Sequence, residues 1–268
     1  MPAQPAQPDT PPRLALCRLL LHIRPAPVAA LLKRLFGIRR RVISTPVGRL
    51  VVDPASDFGY RLLTGRNYEP VMTAAFRALL KPGGTCVDIG ANEGWFSILA
   101  AQLVGESGRV LAVEPQTRLQ PVLASNFALN GLSRIAIETS AVSDRVGESS
   151  LFLAPDTNTG ASALHRHTRY RLPRETVVTC RLDDLLDRHG LAQVTLMKMD
   201  IEGHEHEAIL GSPEVFSSGR VAHLALEIHP ALLNRRGRHP GALKAFLTEA
   251  GYGPNPFFPD LVYSRMKS

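Results

Sequence analysis

At Val87-Asp88-Ile89-Gly90-Ala91-Asn92-Glu93-Gly94 the sequence turns from an apolar run into a helical pattern through a small-residue loop, with an acid directly before its first glycine. Thr85 to Ile89 reads as a buried strand, and Trp95, Phe96, Ile98, Leu99, Ala100, Leu103 and Val104 recur at helical spacing. A loop between such elements lies at the carboxyl end of a parallel strand, where open α/β sheets bind ligands. Gly90 and Gly94 let the backbone approach a ligand closely.

The spacing and the acid narrow the ligand. A dinucleotide site uses G-x-G-x-x-G to seat a pyrophosphate on a helix N-terminus. Here the spacing is G-x-x-x-G. Asp88 repels a pyrophosphate but suits an ammonium group, so the loop Asp88, Gly90, Ala91, Asn92 and Gly94 points to S-adenosyl-L-methionine. The plain alternative is an ordinary strand-to-helix turn, because short glycine motifs recur by chance. Arg109 to Pro115 is a second apolar strand ending in Glu114, about twenty residues beyond Gly94, where such folds place a carboxylate on ribose hydroxyls. Pro115 ends that strand. The spacing of Glu114 alone leaves NAD open, since both cofactor classes use a ribose acid.

Taken in order, several motifs resemble the FkbM-type methyltransferases. They are Asp88 to Gly94 followed by Ser97, Val113-Glu114-Pro115, Asn126 with Leu129-Asn130-Gly131, Ala141-Val142-Ser143-Asp144, and Lys198-Met199-Asp200-Ile201-Glu202-Gly203-His204-Glu205. The resemblance spans roughly residues 42 to 265. It implies a class I methyltransferase fold, Rossmann-like and doubly wound, with a mostly parallel seven-stranded sheet, acting generally on hydroxyls of sugars or natural products. It does not supply the acceptor. It also implies that Ser140 and Ala141 lie near the adenine. The domain reading is a leader and basic apolar helical extension over 1–41, a hairpin and helix over 42–84, and the S-adenosylmethionine-dependent domain over 85–268.

The catalytic candidates come later in the chain. Val194 to Asp200 reads as a strand whose period of two puts Lys198 and Asp200 on one face. His223 to His229 reads as another, with Glu227 and His229 sharing a face. If the two are neighbours, as the resemblance implies, their side chains meet across roughly 5 Å. Methyl transfer to a hydroxyl needs an aligned oxygen and a proton acceptor. Asp200, Glu202 and His229 are the candidate base or hydroxyl-orienting groups, with Lys198 holding a carboxylate ionised or stabilising an alkoxide, and His204 beside them. The structural alternatives are a capped helix start at Glu202 to Glu205 and an ion pair between Glu227 and Lys198. Asp200, Glu202, Glu227 and His229 also offer metal ligands, but no compact spacing motif supports a site, so metal independence is expected.

With 268 residues and 44% hydrophobic content, the chain can bury the core of one elaborated domain. Its net charge of +7 raises nucleic acid as a partner. The arginines are scattered, with short clusters at Arg39 to Arg41 and Arg235 to Arg238, and no nucleic-acid-binding module is recognisable. The expected partner is therefore a small-molecule or glycan acceptor, an anionic one included. The three cysteines, Cys17, Cys86 and Cys180, form no framework and suit a reducing cytosol.

Met1 to Pro12 reads as a disordered leader. Leu14 to Ile23 and Val28 to Ile38 are too short and too interrupted by arginine to span a bilayer, and fit packing, self-association or peripheral membrane contact. Val42 to Asp53 predicts a hairpin on the cofactor side. Tyr68-Glu69-Pro70 begins a helix ending near Leu80; Tyr68 and Glu69 either reach the cofactor or only set the start of that helix. A helix from about Thr117 to Asn130 and a strand at Ile135 to Ser140 follow. Periodicity weakens from Leu151 to Thr176, which suggests a substrate lid or else a merely mobile connection; His165, Arg166, His167 and Arg169 within it are no metal signature. A helix over Pro240 to Ala250 and late strands from Tyr252 to Tyr263 complete the expected sheet. The competing functions are an NAD-dependent oxidoreductase and a non-catalytic cofactor-binding partner protein.

Overall fold

A computed structural model describes residues 11–165 and 174–266. Most of the leader, together with Arg166, His167 and Arg169, lies outside the described residues. Two short helices, α1 (Pro11–His22) and α2 (Ala26–Leu35), open the chain, followed by an antiparallel hairpin of β1 (Arg41–Thr45) and β2 (Gly48–Val52). Helices α3 (Asp57–Leu63) and α4 (Pro70–Leu79) then lead into the alternating core.

That core runs β3 (Thr85–Ile89), α5 (Trp95–Val104), β4 (Arg109–Val113), α6 (Gln120–Leu129) and β5 (Ala136–Glu138). After β6 (Ala141–Val142), β7 (Gly147–Phe152) and β8 (Arg174–Cys180), it resumes with α7 (Leu182–Arg188), β9 (Val194–Met199), α8 (Glu205–Leu210), α9 (Pro213–Ser217) and β10 (Val221–Leu226). Helices α10 (Pro230–Arg235) and α11 (Pro240–Glu249) and strands β11 (Tyr252–Pro254) and β12 (Val262–Arg265) close the chain. The seven-stranded sheet has the order β11-β12-β10-β9-β3-β4-β5, parallel from β10 to β5, with β12 antiparallel to β10. This is a class I methyltransferase fold, as expected.

The central strands are buried on both faces, which is why they read as apolar runs rather than alternating ones. Cys86, Val87, Leu196, Met197 and Met199 are at most 0% exposed, as is Asp88 among them. The order in which strands are added reverses between β3 and β9, and because these strands are parallel the carboxyl ends of β3, β4, β9 and β10 form one rim. All further chemistry sits on that rim.

Four local expectations change. The hairpin does not line the cofactor side; it packs on α6, where the Asn126 and Asn130 side chains accept from the Val51 and Arg49 amides at 2.6 and 2.9 Å. The segment predicted as a lid from Leu151 to Thr176 includes strand structure, because β7 and β8 pair with β6 in a separate three-stranded sheet. Its alternation was faint because only Leu151, Val177 and a few neighbours turn inward, while Val178 is exposed. The helix predicted from Thr117 begins at Gln120, once the turn after Pro115 is complete. Strand β10 stops at Leu226, so Glu227 and His229 lie on the loop beyond it; the Glu227 amide still donates to the Met199 carbonyl at 3.0 Å before Pro230 starts α10.

The N-terminal helices rest on the domain through Cys17, Leu20, Ile38 and Ala55, and Lys33 pairs with buried Asp53. Leu19, Val28, Leu31, Leu35 and Phe36 remain exposed. No helix among the described residues is long and apolar enough to cross a membrane. All three cysteines are buried and free.

Candidate functional site

The rim holds a cavity whose floor is the loop after β3 and the ends of β4 and β9. Gly90, Ala91, Asn92, Glu114, Pro115, Ala141, Lys198, Asp200, Glu202 and His204 all line it. Asp88, Gly94, Ser140 and His229 do not. Each has a different place.

Asp88 is fully buried, accepts a hydrogen bond from Ser97 Oγ at 2.7 Å and faces Lys198 Nζ at 3.5 Å. It supports the loop from beneath, and its Oδ1 is buried without a hydrogen-bond partner among the described residues. Gly94 is needed for packing, since a Cβ there would stand 2.7 Å from Leu123 of α6. Gly90 is on the wall, yet a Cβ on it would lie 2.0 Å from the Asp200 carbonyl, so the loop and the exit of β9 touch backbone to backbone. Ser140 is buried, and its amide donates to Glu138.

Glu114 accepts from the Asn92 amide at 2.8 Å and the Gln116 amide at 2.9 Å. Burial nevertheless pushes its pKa up to about 7, because those two donors offset only part of the desolvation. Its oxygens retain lone pairs for further donors.

Lys198 is the hub. Its ammonium donates to the Gly90 carbonyl at 3.2 Å and lies 3.5 Å from Asp88 and 3.6 Å from Asp200. Burial disfavours its charge, but Asp88, Asp200, Glu69 and Glu227 outweigh that and raise its pKa, so it stays cationic. Asp200 turns its other oxygen toward His229 Nε2 at 3.9 Å, and Glu202 reaches the same nitrogen at 3.5 Å. His229 Nδ1 meets buried Glu205 at 3.2 Å. Burial lowers the His229 pKa, yet its bond to Glu205 and the charges of Glu202 and Asp200 carry it up to about 9. That direction favours the imidazolium and an orienting role for the ring over that of a general base. Burial lifts Glu202 to about 7, against the pull of His229.

His204 serves structure. Its Nε2 shares a hydrogen bond with Ser143 at 2.9 Å, it stands at the N-cap position of α8 without a side-chain capping bond, and burial lowers its pKa. Arg236 and Arg238 bind Glu207 at 2.8 and 3.2 Å, so this cluster is partly committed internally. Arg40 is likewise engaged, forming a two-point pair with Glu93 on the wall at 2.9 and 3.1 Å.

Phe58, and a wall role for Trp95 and Phe96, escaped the sequence reading, whereas Tyr68, Glu69 and the stretch from Leu151 to Thr176 are among its candidates for the ligand side. Phe58, Tyr68, Trp95 and Phe96 form an aromatic group with neighbouring centroids 4.9 to 6.4 Å apart. Tyr68 and Glu69 reach the cavity. Asn158, Gly160, Ser162, Ala163 and Leu164 supply the opposite wall. The signal for the last group was weak, since small polar residues in an irregular stretch look alike whether they cover a ligand or merely connect strands. Among the described residues, the three non-glycine positions with positive φ are Glu69, Asn92 and Glu202, at 39, 50 and 52°. All three line this cavity, and such strain concentrates at functional sites.

Residues 88–254 match the Methyltransferase FkbM domain. The chain belongs to the FkbM methyltransferase family. Among solved structures it is similar to the methyltransferase FkbM from Methylobacillus flagellatus KT, at 16% identity over 94% of this chain and 59% of that one, with a TM-score of 0.43. It is also similar to Aeropyrum pernix fibrillarin in complex with natively bound S-adenosyl-L-methionine, at 14% identity over 84% and 81% of the two chains, TM-score 0.39. A protein-L-isoaspartate O-methyltransferase aligns at 22% identity over 28% of this chain and 24% of its own, TM-score 0.26. Family membership rests on the domain match.

The methyl donor of FkbM methyltransferases is S-adenosyl-L-methionine, and the wall fits that molecule. It is a cation at its sulfonium and ammonium, and the cavity presents Glu69, Glu93, Glu114, Asp200, Glu202 and Glu227 against the single lysine Lys198. Trp95 Nε1 is a buried donor with no protein partner among the described residues. The FkbM match begins at Asp88 and so covers the loop, Glu114 and the acidic group at Asp200, while Phe58, Tyr68 and Glu69 precede it.

Proposed function

We propose that this FkbM-family chain is an S-adenosylmethionine-dependent O-methyltransferase acting on a hydroxyl of an uncharged polyol, such as a sugar, glycoconjugate or natural product. The carrying observation is the acid excess of the cavity: six carboxyl groups line it, faced by the cations Lys198, Arg40 through its pair with Glu93, and His229, within a chain whose net charge is +7. That wall disfavours a dinucleotide pyrophosphate and a phosphorylated acceptor alike.

S-adenosylmethionine supplies a methyl group on a sulfonium, and the C–S bond breaks as the O–C bond forms. The chain's own residues do the rest. Glu114 offers its free lone pairs to ribose hydroxyls, and Pro115, Gln116, Ala141 and Val142 supply a partly apolar wall beside them. Lys198 fixes the Gly90 carbonyl and one oxygen of Asp200, which positions the loop and the acidic group together. Asp200 and Glu227 accept from acceptor hydroxyls. Glu202 takes the proton of the reacting hydroxyl, and a pKa of about 7 suits both uptake and later release to water. His229 holds Glu202 and Asp200 in place as a cation.

Calorimetric titration with S-adenosylhomocysteine and with NAD tests the cofactor assignment. Selective S-adenosylhomocysteine binding, weakened at least tenfold by Glu114→Ala, is expected; NAD binding alone overturns it. A labelled-methyl screen of neutral against phosphorylated sugars then tests the acceptor class.

A further inference from the structure

We propose that Asp200, Glu227 and His229 form a binding site for a hard divalent cation of the Mn2+ or Mg2+ kind at the edge of the cavity. Each residue contributes one ligand atom, and these atoms all lie within 4.8 Å of one another. Ligands bonded to such ions at ~2.1–2.4 Å stand ~3–4.8 Å apart, so the group closes on an ion with small side-chain rotations. The sequence offers these ligands without a compact spacing motif, because they come from two chain exits. Asp200 follows β9 and the other two follow β10, and the parallel pairing of those strands brings them together.

Two features outside the triad prepare it. Glu205, fully buried, holds His229 Nδ1 at 3.2 Å and is itself fixed by the Gly203 amide at 3.0 Å. The carboxylate thereby sets the ring so that Nε2 faces the acids, the arrangement that orients imidazole ligands in metal sites. Asp200 divides its oxygens between two tasks, Oδ2 toward Lys198 at 3.6 Å and Oδ1 toward His229 at 3.9 Å. Tethering of Oδ2 leaves Oδ1 presented. One imidazole with two carboxylates is a donor set for Mn2+ or Mg2+ rather than for a thiolate-seeking ion. Binding releases the Nε2 proton to solvent, and the dication then replaces the imidazolium as the charge that holds these acids together. On the methyltransferase reading, the ion stands where it lowers the pKa of an acceptor hydroxyl while Glu202 takes the proton.

The test uses the full chain, stripped with EDTA and titrated with Mn2+ while the free-ion electron paramagnetic resonance signal is followed. One saturable site per chain is expected, competed by Mg2+ and weakened at least tenfold in Asp200→Asn, Glu227→Gln and His229→Gln. S-adenosylhomocysteine binding in the same samples reports separately on the fold and the cofactor site. Absence of saturable uptake by the parent chain, or uptake untouched in folded variants, overturns the proposal. Uptake without S-adenosylhomocysteine binding keeps the ion site and removes its role in methyl transfer.

A separate observation carries a second proposal. From residue 13 to residue 52 the sequence has nine arginines and lysines and no acid. On α2 the outward face is the apolar one: Val28, Leu31 and Leu35 follow helical spacing, with Phe36 beside them and Ala29 turned inward. We infer that this face rests on an anionic lipid surface. Lys33 and Arg40 pair with Asp53 and Glu93, but Arg18, Arg24, Arg34 and Arg39 are exposed; a second copy of the chain would oppose these to one another, whereas an anionic membrane satisfies both the charge and the apolar contact. Flotation with phosphatidylglycerol-containing vesicles is expected to carry the parent chain at low salt, and to lose it in Leu31→Ser/Leu35→Ser/Phe36→Ser. Equal flotation of the variant, or a dimer in ultracentrifugation that the variant abolishes, overturns this assignment.

Discussion

Glu114 sets one side of the residue-scale chemistry. Its pKa of about 7 reflects burial, so the folded chain holds a proton there more tightly than an unfolded chain whose glutamate titrates near 4.5. This group therefore favours the fold at low pH and loses that contribution as pH rises from about 4.5 through 7. Cofactor binding runs the opposite way, because the ionised carboxylate is the better acceptor for ribose hydroxyls. S-adenosylhomocysteine affinity is expected to be roughly tenfold weaker at pH 6 than at pH 8, a difference calorimetry resolves and Glu114→Gln abolishes. Glu202 shows a second residue-scale conflict. Its φ of 52° is strained for a side chain with a Cβ. Glu202→Gly is expected to gain about 1 kcal/mol in denaturant unfolding while methyl transfer falls on the order of 10²-fold. A variant that lost both stability and activity would show that the side chain is held for the fold.

Among the elements, α6 and the hairpin are joined by two asparagines, of which Asn126 also reaches the cofactor loop. Asn126 accepts from the Val51 amide at 2.6 Å and donates to the Glu93 carbonyl at 2.7 Å, tying β2, α6 and the cofactor loop together. Asn126→Ala leaves both buried backbone groups without that partner, and a loss of about 2–4 kcal/mol is expected in equilibrium unfolding. Element order was legible in the sequence because buried parallel strands and an apolar α5 leave strong patterns. The loop at Gly90 and the acid at Glu114 were legible for the same reason, each lying at a strand end. Two kinds of information were not. The small sheet of β6, β7 and β8 buries few apolar residues, so its alternation barely rises above that of a loop. The inward aim of Asp88 was equally hidden, since its partner Lys198 is 110 residues away and only the pairing of β3 with β9 brings them together. Sequence spacing identified the acid but not its contact with Lys198.

At the scale of the whole molecule, charge is sorted. The exterior of the N-terminal half is basic, whereas the cavity is acidic, so the net charge of +7 misleads about what enters. The acceptor preference follows from the interior. Neutral polyols are expected to exceed their phosphorylated counterparts by at least tenfold in kcat/KM, a comparison that paired acceptors in a labelled-methyl assay make directly. A preference for the phosphorylated form would place the acceptor elsewhere on the surface.

The contact between Gly90 and the Asp200 carbonyl divides the protein into parts that tolerate change and a part that does not. With no room for even a methyl group there, the floor cannot be rebuilt one substitution at a time. The wall from Asn158 to Leu164 has no such lock, and Gly160 meets nothing nearer than 3.3 Å at its missing Cβ. Divergence toward new acceptors, natural or engineered, is thus channelled into that wall, while the rim beneath it is inherited whole.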